Sequence, residues 1–364
     1  MSAFKEEFVE FLSENHLSYE ERCDDFFFFP ALNVVIVLVH LADFAESALM
    51  PVADGSDSVK KLSMPVADGS DSEKKLSMPV ADGSDSVKKL SMLVADGSDS
   101  VKKLSMPVAD SPMPIRNVSK LARGISSLSG NDGAVDVIYL YEDRWFFKKE
   151  LVQKRILARL GRFISVFARK CSVMDDAAIK ADSRKNSAIK AFLNEYHSYG
   201  DAMCKYRYAL EYKGKIVAVA TFSAPRPMKR DGYGETIFDS YEWVRYASLP
   251  DHRVVGGMGK LLKKFLEDVQ MKGRGSVEVM SYSDIEWSQG EVYERLGFTM
   301  VQHRDAVEFV VNTDTFERVS LNKISRQRSL SGNGAYNSGV NDNYVKIRNM
   351  GSNKYLYHPA VPEP

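Results

Sequence analysis

The sequence predicts an α+β fold in which a central mixed sheet is flanked by helices. Two runs of alternating apolar residues, 206–212 and 215–222, are separated by a Lys-Gly turn and therefore predict an antiparallel hairpin. A helical pattern at 257–271 separates strand patterns at 240–248 and 276–282, as in a crossover connection. The antiparallel start and the later crossover together place the chain in the α+β class.

The other elements follow from the same signals. Residues 135–141 alternate and predict a strand, and the pattern at 148–160, ended by Gly161, predicts a helix. Three further patterns predict a strand at 163–170, a helix at 186–196 and a short helix at 290–296. Residues 299–311 then form one strand or a bent pair. The predicted domain spans residues 134–320.

Composition restricts the class of protein. The chain has 364 residues, and 49 Lys and Arg balance 49 Asp and Glu, so net charge points neither to nucleic acid nor to an anionic membrane. Cys23, Cys171 and Cys204 are far apart and show no metal-ligand spacing. We therefore expect reduced thiols, no metal site and a cytoplasmic protein.

The N-terminal segment, residues 1–49, contains the most hydrophobic run of the chain, from Phe26 to Val39. Pro30 and Asn33 interrupt this run, which is also too short for a transmembrane helix. We predict a buried helix or strand here. A contact with a membrane surface or a partner is the alternative, because little of the neighbouring sequence offers an apolar cover.

Residues 50–110 are a tandem repeat of a 14-residue unit that begins at Met50, Met64, Met78 and Met92, with a partial copy at Met106. Almost every unit carries Pro, and each full unit carries Asp-Gly and several serines, which excludes a coiled coil. Each unit also offers few apolar side chains for a stacked solenoid. The repeats therefore predict a disordered linker that precedes the domain.

The next segment, residues 111–133, contains a basic, amphipathic, serine-rich stretch whose residues 113–129 include no acid. This pattern predicts a linker helix. It also resembles an organellar targeting peptide, mitochondrial or plastid, which would function as one if translation starts at Met113. At the other end, residues 321–364 turn to Ser, Gly and Asn and predict a mostly flexible tail, with a weak strand at 341–356 as the alternative.

A glycine-rich turn joins the strand at 240–248 to the helix at 257–271. Glycine lets the backbone approach a ligand closely, and a helix start offers unpaired N–H groups and the positive end of the helix dipole. The turn therefore predicts a phosphate or pyrophosphate site, and a tight strand-to-helix connection is the alternative. The candidate ligand-binding residues are Arg253, Val254, Val255, Gly256, Gly257, Met258, Gly259 and Lys260.

The block from Val254 to Leu262 and the string from Val292 to Phe298 together resemble the GNAT superfamily of N-acetyltransferases. The resemblance covers roughly residues 186–312. It implies a GNAT-like mixed sheet and acetyl-CoA as cosubstrate, with its pyrophosphate on the glycine-rich turn. It also implies that Tyr293 protonates the leaving thiolate and that Glu242 is the general base in a direct transfer to an amine of a small molecule or protein.

A narrower resemblance connects the chain to an acetyltransferase-like module of phage proteins that accompanies homing-endonuclease-like regions. It is carried by 142–145, 168–171, 192–197, 254–257, 281–284 and 287–290. This context implies nucleic acid as a partner. The alternative function is therefore a catalytically inactive domain that binds nucleic acid or a protein partner, through a basic helix at 148–169 next to Trp145.

Three more residues are candidates for contact with the acceptor substrate. His197 ends a predicted helix, where it is a base, a substrate contact or a cap that interacts with the helix dipole. Asp284 and Trp287 follow the strand after the candidate cofactor helix, where they line an acceptor pocket or hold a structured loop.

Overall fold

The computed structural model describes residues 2–45, 135–270, 276–320 and 343–359. The predicted repeats, the basic linker and part of the predicted tail lie outside these ranges. Two sheets, one of four strands and one of eight, carry the described fold, and helices flank them. The predicted α+β class, a mixed sheet with helices around it, is confirmed.

The four-stranded sheet joins the N-terminal segment to the chain that follows the repeats. Its order along the sheet is β1 (Glu20–Cys23), β2 (Phe26–Phe29), β3 (Val34–Val39) and β4 (Asp136–Tyr141). Strands β3 and β4 are parallel and pair from Val34 with Asp136 to Val39 with Tyr141. In the sequence, residues 46–134 connect these two neighbouring strands.

Three helices cover this sheet, and a short helix α2 (Ala42–Ala45) follows β3. The three helices that cover the sheet are α1 (Ala3–Glu14), α3 (Glu142–Phe147) and α4 (Lys149–Arg159). Phe8 of α1, Trp145 of α3 and Ile156 of α4 pack with Ile36 and Ile138 in one buried cluster. The hydrophobic run 26–39 is thus buried as strands because distant segments provide its cover. No helix of the described residues is long and apolar enough to cross a membrane.

The eight-stranded sheet is mixed. Its main path runs β13 (Thr299–Arg304), β17 (Ser352–Tyr357), β12 (Ser276–Asp284), β10 (Ile237–Ser248), β8 (Lys215–Phe222), β7 (Tyr206–Tyr212) and β6 (Ser172–Met174), and β9 (Arg226–Lys229) also pairs with β10. The predicted hairpin is confirmed as β7 and β8. Strands β10 and β12 are parallel, as the predicted crossover requires.

Helices cover both faces of this sheet. On one face lies α7 (Gly257–Gln270), whose Leu261 and Phe265 pack against Tyr208 and Phe222. On the other face lies α6 (Ser183–Tyr196), which follows the short α5 (Asp176–Lys180) and packs Ile189 and Leu193 against the strands. A short α8 (Glu291–Arg295) precedes β13. Each predicted element between 135 and 312 therefore corresponds to an observed one.

Two small sheets complete the fold. Strand β5 (Ile164–Phe167) pairs in parallel with β11 (His252–Val255), and β14 (Glu308–Asn312) lies between β15 (Arg318–Ser320) and β16 (Tyr344–Arg348). Strand β17 lies between β12 and β13 and pairs with both. Within 343–359 the chain thus forms two strands, where the alternative for this segment predicted one weak strand at 341–356.

A buried ionic cluster connects distant segments. The Arg318 guanidinium donates to both carboxylate oxygens of Asp143, at 2.7 and 2.8 Å, and to Glu286 at 2.6 Å. The three side chains are at most 2% exposed. This cluster joins α3, the loop after β12 and β15.

Candidate functional site

A cleft opens where strands β10 and β12 separate. The two strands pair only from Phe238–Ser276 to Glu242–Met280. Beyond Glu242, β10 continues against β8 with a β-bulge between Trp243 and Arg245, and β12 continues against β17. Among the described strands, none pairs with this freed edge of β10, and its residues Tyr246, Ala247 and Ser248 line the cleft.

The glycine-rich turn lies at this cleft and leads into α7. Gly256 has a φ of +75°, which favours glycine, and it has no side chain that could cap the helix. The first intrahelical bond joins the Lys260 N–H to the Gly256 carbonyl at 3.0 Å. The N–H groups of Gly257, Met258 and Gly259 come before that bond and have no acceptor within the helix.

Close packing also requires glycine in the turn. A Cβ on Gly257 would lie 2.9 Å from a methyl group of Val254 and 3.1 Å from the Tyr246 hydroxyl. At Gly259 the nearest atom would be a Leu296 methyl group at 3.4 Å. Gly257 is therefore needed for the turn itself, whereas the backbone at Gly259 has room beside it.

The cleft has a volume of about 1000 Å³ and a net positive lining. Its lining includes the turn, the freed part of β10 and part of α8. Four arginines and two acids are among the side chains that line it. These are Arg155, Arg159, Arg253 and Arg295, against Asp136 and Glu291. Asp136 is already paired with Arg159. The balance of charge favours an anionic ligand.

The predicted turn residues have different surroundings. Arg253 is exposed and its guanidinium lies over the Phe163 ring at 5.0 Å. Val254 packs against the core, and Val255 is 44% exposed. Lys260 lies on α7, but its ammonium donates to the carbonyls of Ala168 and Cys171, at 3.0 and 2.7 Å. Its side chain therefore holds the neighbouring turn of 168–171.

Tyr293 lies where the two strands separate. Its hydroxyl accepts a hydrogen bond from the Ser281 hydroxyl at 2.8 Å, and Ser281 also lies 3.3 Å from the Trp243 carbonyl on β10. Burial raises the pKa of Tyr293. Ser281 was not among the predicted site residues, although a serine that alternates with the buried Val277 and Val279 indicates a polar group on the core side.

Glu242 is the last residue of β10 that pairs with β12. Its carboxylate accepts from Arg226 at 3.1 Å, and its N–H donates to the Ser223 hydroxyl at 2.9 Å. Strand alternation places Glu242 on the face of the sheet opposite to Tyr241 and Trp243, and so opposite to Tyr293. The nearby Arg245 donates to the Gly200 and Val244 carbonyls and not to Glu242.

His197 follows α6 and lines the cleft. Burial, together with the charges of Arg245, Arg155, Lys148 and Arg144, lowers its pKa to about 3. Its Nδ1 accepts from the Tyr199 N–H at 3.1 Å, so the neutral ring carries its proton on Nε2. A neutral ring does not interact with the helix dipole as a charged cap, and its remaining polar group is a donor, not a base.

Asp284 is the last residue of β12, and Trp287 lies in the tight loop that follows it. The Asp284 carboxylate accepts from the Glu286 N–H at 3.1 Å and from the Tyr199 hydroxyl at 3.4 Å. Trp287 is 8% exposed, and the Arg155 guanidinium lies over its ring at 4.1 Å. Trp287 lines the cleft, whereas the lining of the cleft does not include Asp284.

The predicted basic helix at 148–169 consists of α4, a turn and β5. Several of its cations have partners within the chain: Lys149 pairs with Glu7, Lys154 with Glu150 and Arg159 with Asp136. Trp145 is fully buried, and its indole donates to Glu7. These contacts leave less free positive charge than the sequence indicates, and nucleic-acid binding stays a prediction.

The described cysteines do not form a nucleophilic site. Burial raises the pKa of both Cys171 and Cys204, which disfavours their thiolates. Among the described residues, no group of three His, Cys, Asp or Glu side chains lies close enough to hold a metal ion.

No protein-family model matches the chain, and no curated protein matches it. Solved structures with a similar fold include a protein from Salmonella typhimurium assigned as an acetyltransferase and determined with acetyl-CoA. It is 14% identical, the match covers 53% of this chain and 98% of that one, and the TM-score is 0.29. A Staphylococcus aureus N-acetyltransferase gives 14% identity, 52% and 98% coverage and a TM-score of 0.27.

A third similar structure is a GNAT-family acetyltransferase from Elizabethkingia anophelis with acetyl-CoA bound. Its identity is 9%, its coverage 52% and 99%, and its TM-score 0.25. Likeness at these scores carries no argument about function. The candidate site therefore depends on its own geometry: a glycine turn, a freed strand edge and a positively charged cleft.

Proposed function

We propose that this protein is an N-acetyltransferase that uses acetyl-CoA and transfers the acetyl group directly to an amine. The observation that carries the proposal is the separation of β10 from β12 beside the glycine-rich start of α7. The resemblance of residues 186–312 to the GNAT superfamily agrees with it. The proposal goes beyond the fold, because it assigns a ligand and a reaction to the cleft.

The cleft matches the chemistry of acetyl-CoA in two places. The N–H groups of Gly257, Met258 and Gly259 would bind the pyrophosphate, with Arg253 nearby as a further cation. The part of the freed edge of β10 that lines the cleft, residues 246–248, would hydrogen-bond with the amide groups of the extended arm of the ligand. Because a side chain at 257 would collide with Val254, this cradle depends on glycine.

The reaction would take place where the strands separate. Glu242 and Tyr293 lie on opposite faces of the sheet at this point, so an acetyl group between the strands would have one on each side. As the amine nitrogen bonds to the carbonyl carbon, Glu242 accepts a proton from nitrogen and the carbon–sulfur bond breaks. Tyr293 gives its proton to the leaving sulfur, and burial keeps the phenol protonated beforehand.

Other predicted residues would serve the acceptor. Trp287 and His197 line the cleft beside the freed strand edge. His197, neutral and with a proton on Nε2, would donate a hydrogen bond to the substrate. Asp284 would act indirectly, because its carboxylate holds the Tyr199 hydroxyl and the loop that carries Trp287.

Calorimetric titration of acetyl-CoA into the full chain tests the proposal, with Gly259→Glu as the key variant. A Cβ at residue 259 would make only ordinary contact, with a Leu296 methyl group at 3.4 Å, and an acid in the first turn suits the helix dipole, so we expect the fold to be retained. Its carboxylate would compete with the pyrophosphate for the same N–H groups. We expect saturable binding that weakens at least about tenfold in the variant.

The matched control is Lys263→Gln, which also lowers the net charge by one on an exposed position of the same helix. We expect it to bind acetyl-CoA like the unaltered protein. Absence of saturable binding by the folded chain, or equal affinity in Gly259→Glu, would rule out this site.

A further inference from the structure

A buried serine lies beside Tyr293 at the point where the strands separate. Ser281 of β12 is 1% exposed and lies on the same face as Val277 and Val279. A hydroxyl buried among valines needs a hydrogen-bond partner, because an unpaired polar group is costly there. Its oxygen is 2.8 Å from the Tyr293 hydroxyl and 3.3 Å from the Trp243 carbonyl. Ser281 therefore connects β12 with both α8 and β10.

The two distances indicate where the Ser281 proton points. Hydrogen bonds between two oxygens are usually about 2.7–2.8 Å long, so the contact with Tyr293 is the stronger one. A serine hydroxyl has a single proton to donate, and here it goes to the phenol oxygen. The proton of the phenol is then not used by Ser281. Its contact with the Tyr282 carbonyl, at 3.5 Å, is too long to hold it firmly, so Tyr293 can give this proton to a ligand.

Aromatic neighbours fix the position of the phenol. The rings of Trp243 and Phe298 meet the Tyr293 ring edge to face, with centroids 6.2 and 5.5 Å away, and Tyr355 stacks on it at 5.2 Å. Gly290 makes room for this stack, because a Cβ there would lie 2.6 Å from the Tyr355 ring. The hydrogen bond from Ser281 is therefore formed before any ligand arrives, on a ring that close packing holds in place.

We propose that Ser281 is a positioning residue for the acid of the reaction. Its hydroxyl donates to the Tyr293 oxygen and stabilises the phenoxide that forms when the tyrosine gives its proton to the leaving sulfur. The inference rests on the proposed acetyltransferase function, because it assigns Ser281 a part in that same reaction. A donor that already points at an oxygen where negative charge develops lowers the barrier, since it needs no rearrangement during the step.

The proton transfer is complete without a further reactant. The carbon–sulfur bond breaks, the sulfur takes the phenol proton, and CoA leaves as a neutral thiol. The Ser281 proton stays on its own oxygen throughout, and the phenoxide takes a proton from water before the next turnover. Burial raises the pKa of Tyr293, and the hydrogen bond from Ser281 opposes that rise. Loss of the serine hydroxyl would therefore make the phenol a weaker acid.

The acidity of the phenol is measured on the full chain with 3,5-difluorotyrosine incorporated at position 293. Fluorine makes the phenol more acidic, and fluorine NMR follows its ionisation. We expect Ser281→Ala to raise the pKa of this phenol by about one pH unit, and Ser281→Thr, which keeps a hydroxyl, to restore most of the difference. If Ser281→Ala does not fold, Ser281→Cys, whose thiol is a weak donor, should raise the pKa as well.

The matched control for the titration is Ser283→Ala. It removes another buried serine hydroxyl from the same strand, one that donates to the Gln289 carbonyl at 3.3 Å, and should leave the pKa at position 293 unchanged. A pKa that is unchanged or lowered in folded Ser281→Ala would overturn the proposal.

Release of CoA from acetyl-CoA, with a mixture of primary amines as acceptors, tests the part of Ser281 in catalysis. We expect Ser281→Ala to lower the rate about threefold to tenfold and to leave the affinity for acetyl-CoA, measured by calorimetry, unchanged. In the Tyr293→Phe background the same change should have no further effect, because Ser281 acts through the tyrosine. An unchanged rate in folded Ser281→Ala also overturns the proposal.

Failure of the proposed function gives a different result. An unaltered protein that binds no acetyl-CoA refutes the proposed function, and the role of Ser281 in the reaction with it. The fluorine titration needs no acetyl-CoA, so a pKa that does not rise in Ser281→Ala refutes the role of Ser281 alone.

Discussion

Replacing Arg318 by methionine is expected to lower the free energy of unfolding by about 3–5 kcal/mol. The guanidinium makes three charge-assisted hydrogen bonds of 2.6–2.8 Å to Asp143 and Glu286. Methionine fills much of the volume but leaves both carboxylates buried, at 1% and 0% exposure, without their main partner. Arg144, 3.7 Å from Glu286, compensates only in part.

The loss should depend on pH. Burial raises the pKa of Glu286, and Arg318 opposes that shift. Without Arg318 the pKa of Glu286 rises further, so the folded variant binds a proton that the unfolded chain, with a Glu pKa of about 4.3, does not hold. The stability of the variant therefore increases as pH falls from 8 towards 5, and its difference from the unaltered protein becomes smaller.

Urea unfolding at pH 8 and pH 5 measures both effects. The control is Arg348→Met, which removes an exposed ion pair with Glu308 and is expected to cost about 0–1 kcal/mol. A loss below about 1 kcal/mol for Arg318→Met at pH 8, or a loss that is larger at pH 5, would refute this account of the cluster.

Three other predictions concern the candidate site. Gly257→Ala should lower the free energy of unfolding, measured in urea, by about 1–3 kcal/mol, because the added Cβ would lie 2.9 Å from Val254. Gly259→Ala should leave the free energy of unfolding almost unchanged. Similar losses at both positions would contradict the packing argument. The His197 ring, with a pKa of about 3, should show no NMR titration between pH 8 and pH 5, and a midpoint near 6.5 would contradict its burial among cations. Tyr293→Phe should lower kcat roughly 10²-fold and leave the affinity for acetyl-CoA the same. The lost hydrogen bond with Ser281 should lower the free energy of unfolding by about 1 kcal/mol. An unchanged kcat would exclude the tyrosine as the acid.

The elements that the sequence predicted well are those with local signals. The Lys213-Gly214 turn and the alternation around it predict the hairpin because both strands and their connection lie within 17 residues, from Tyr206 to Phe222. The helix at 257–271 carries an apolar stripe at helical spacing, and the structure places it at Gly257–Gln270. The glycine turn was recognised for the same reason, since its residues are adjacent in the chain.

The features that the sequence did not reveal depend on contacts between residues far apart in the chain. Within the run Phe26–Val39, the strand Val34–Val39 has its parallel partner at Asp136–Tyr141, and no local pattern indicates a pairing across the intervening repeats. Asp143, Glu286 and Arg318 each resemble a solvated charge, and only their meeting makes a buried cluster. Trp145 lies among basic residues in the sequence, which suggested an exposed, ligand-binding position, yet aromatic rings of α1 pack against it.

Strand β17 has a consequence for how the protein is made. It lies between β12 and β13, so these two strands have no direct pairing: β12 joins the sheet through β10, whereas β13 joins it only through residues 352–357. Residues 276–304 leave the ribosome well before their shared partner exists, and until then both strands present open edges. The eight-stranded sheet can therefore be completed only late in synthesis, and a chain stopped before residue 352 would retain those edges as sites for aggregation.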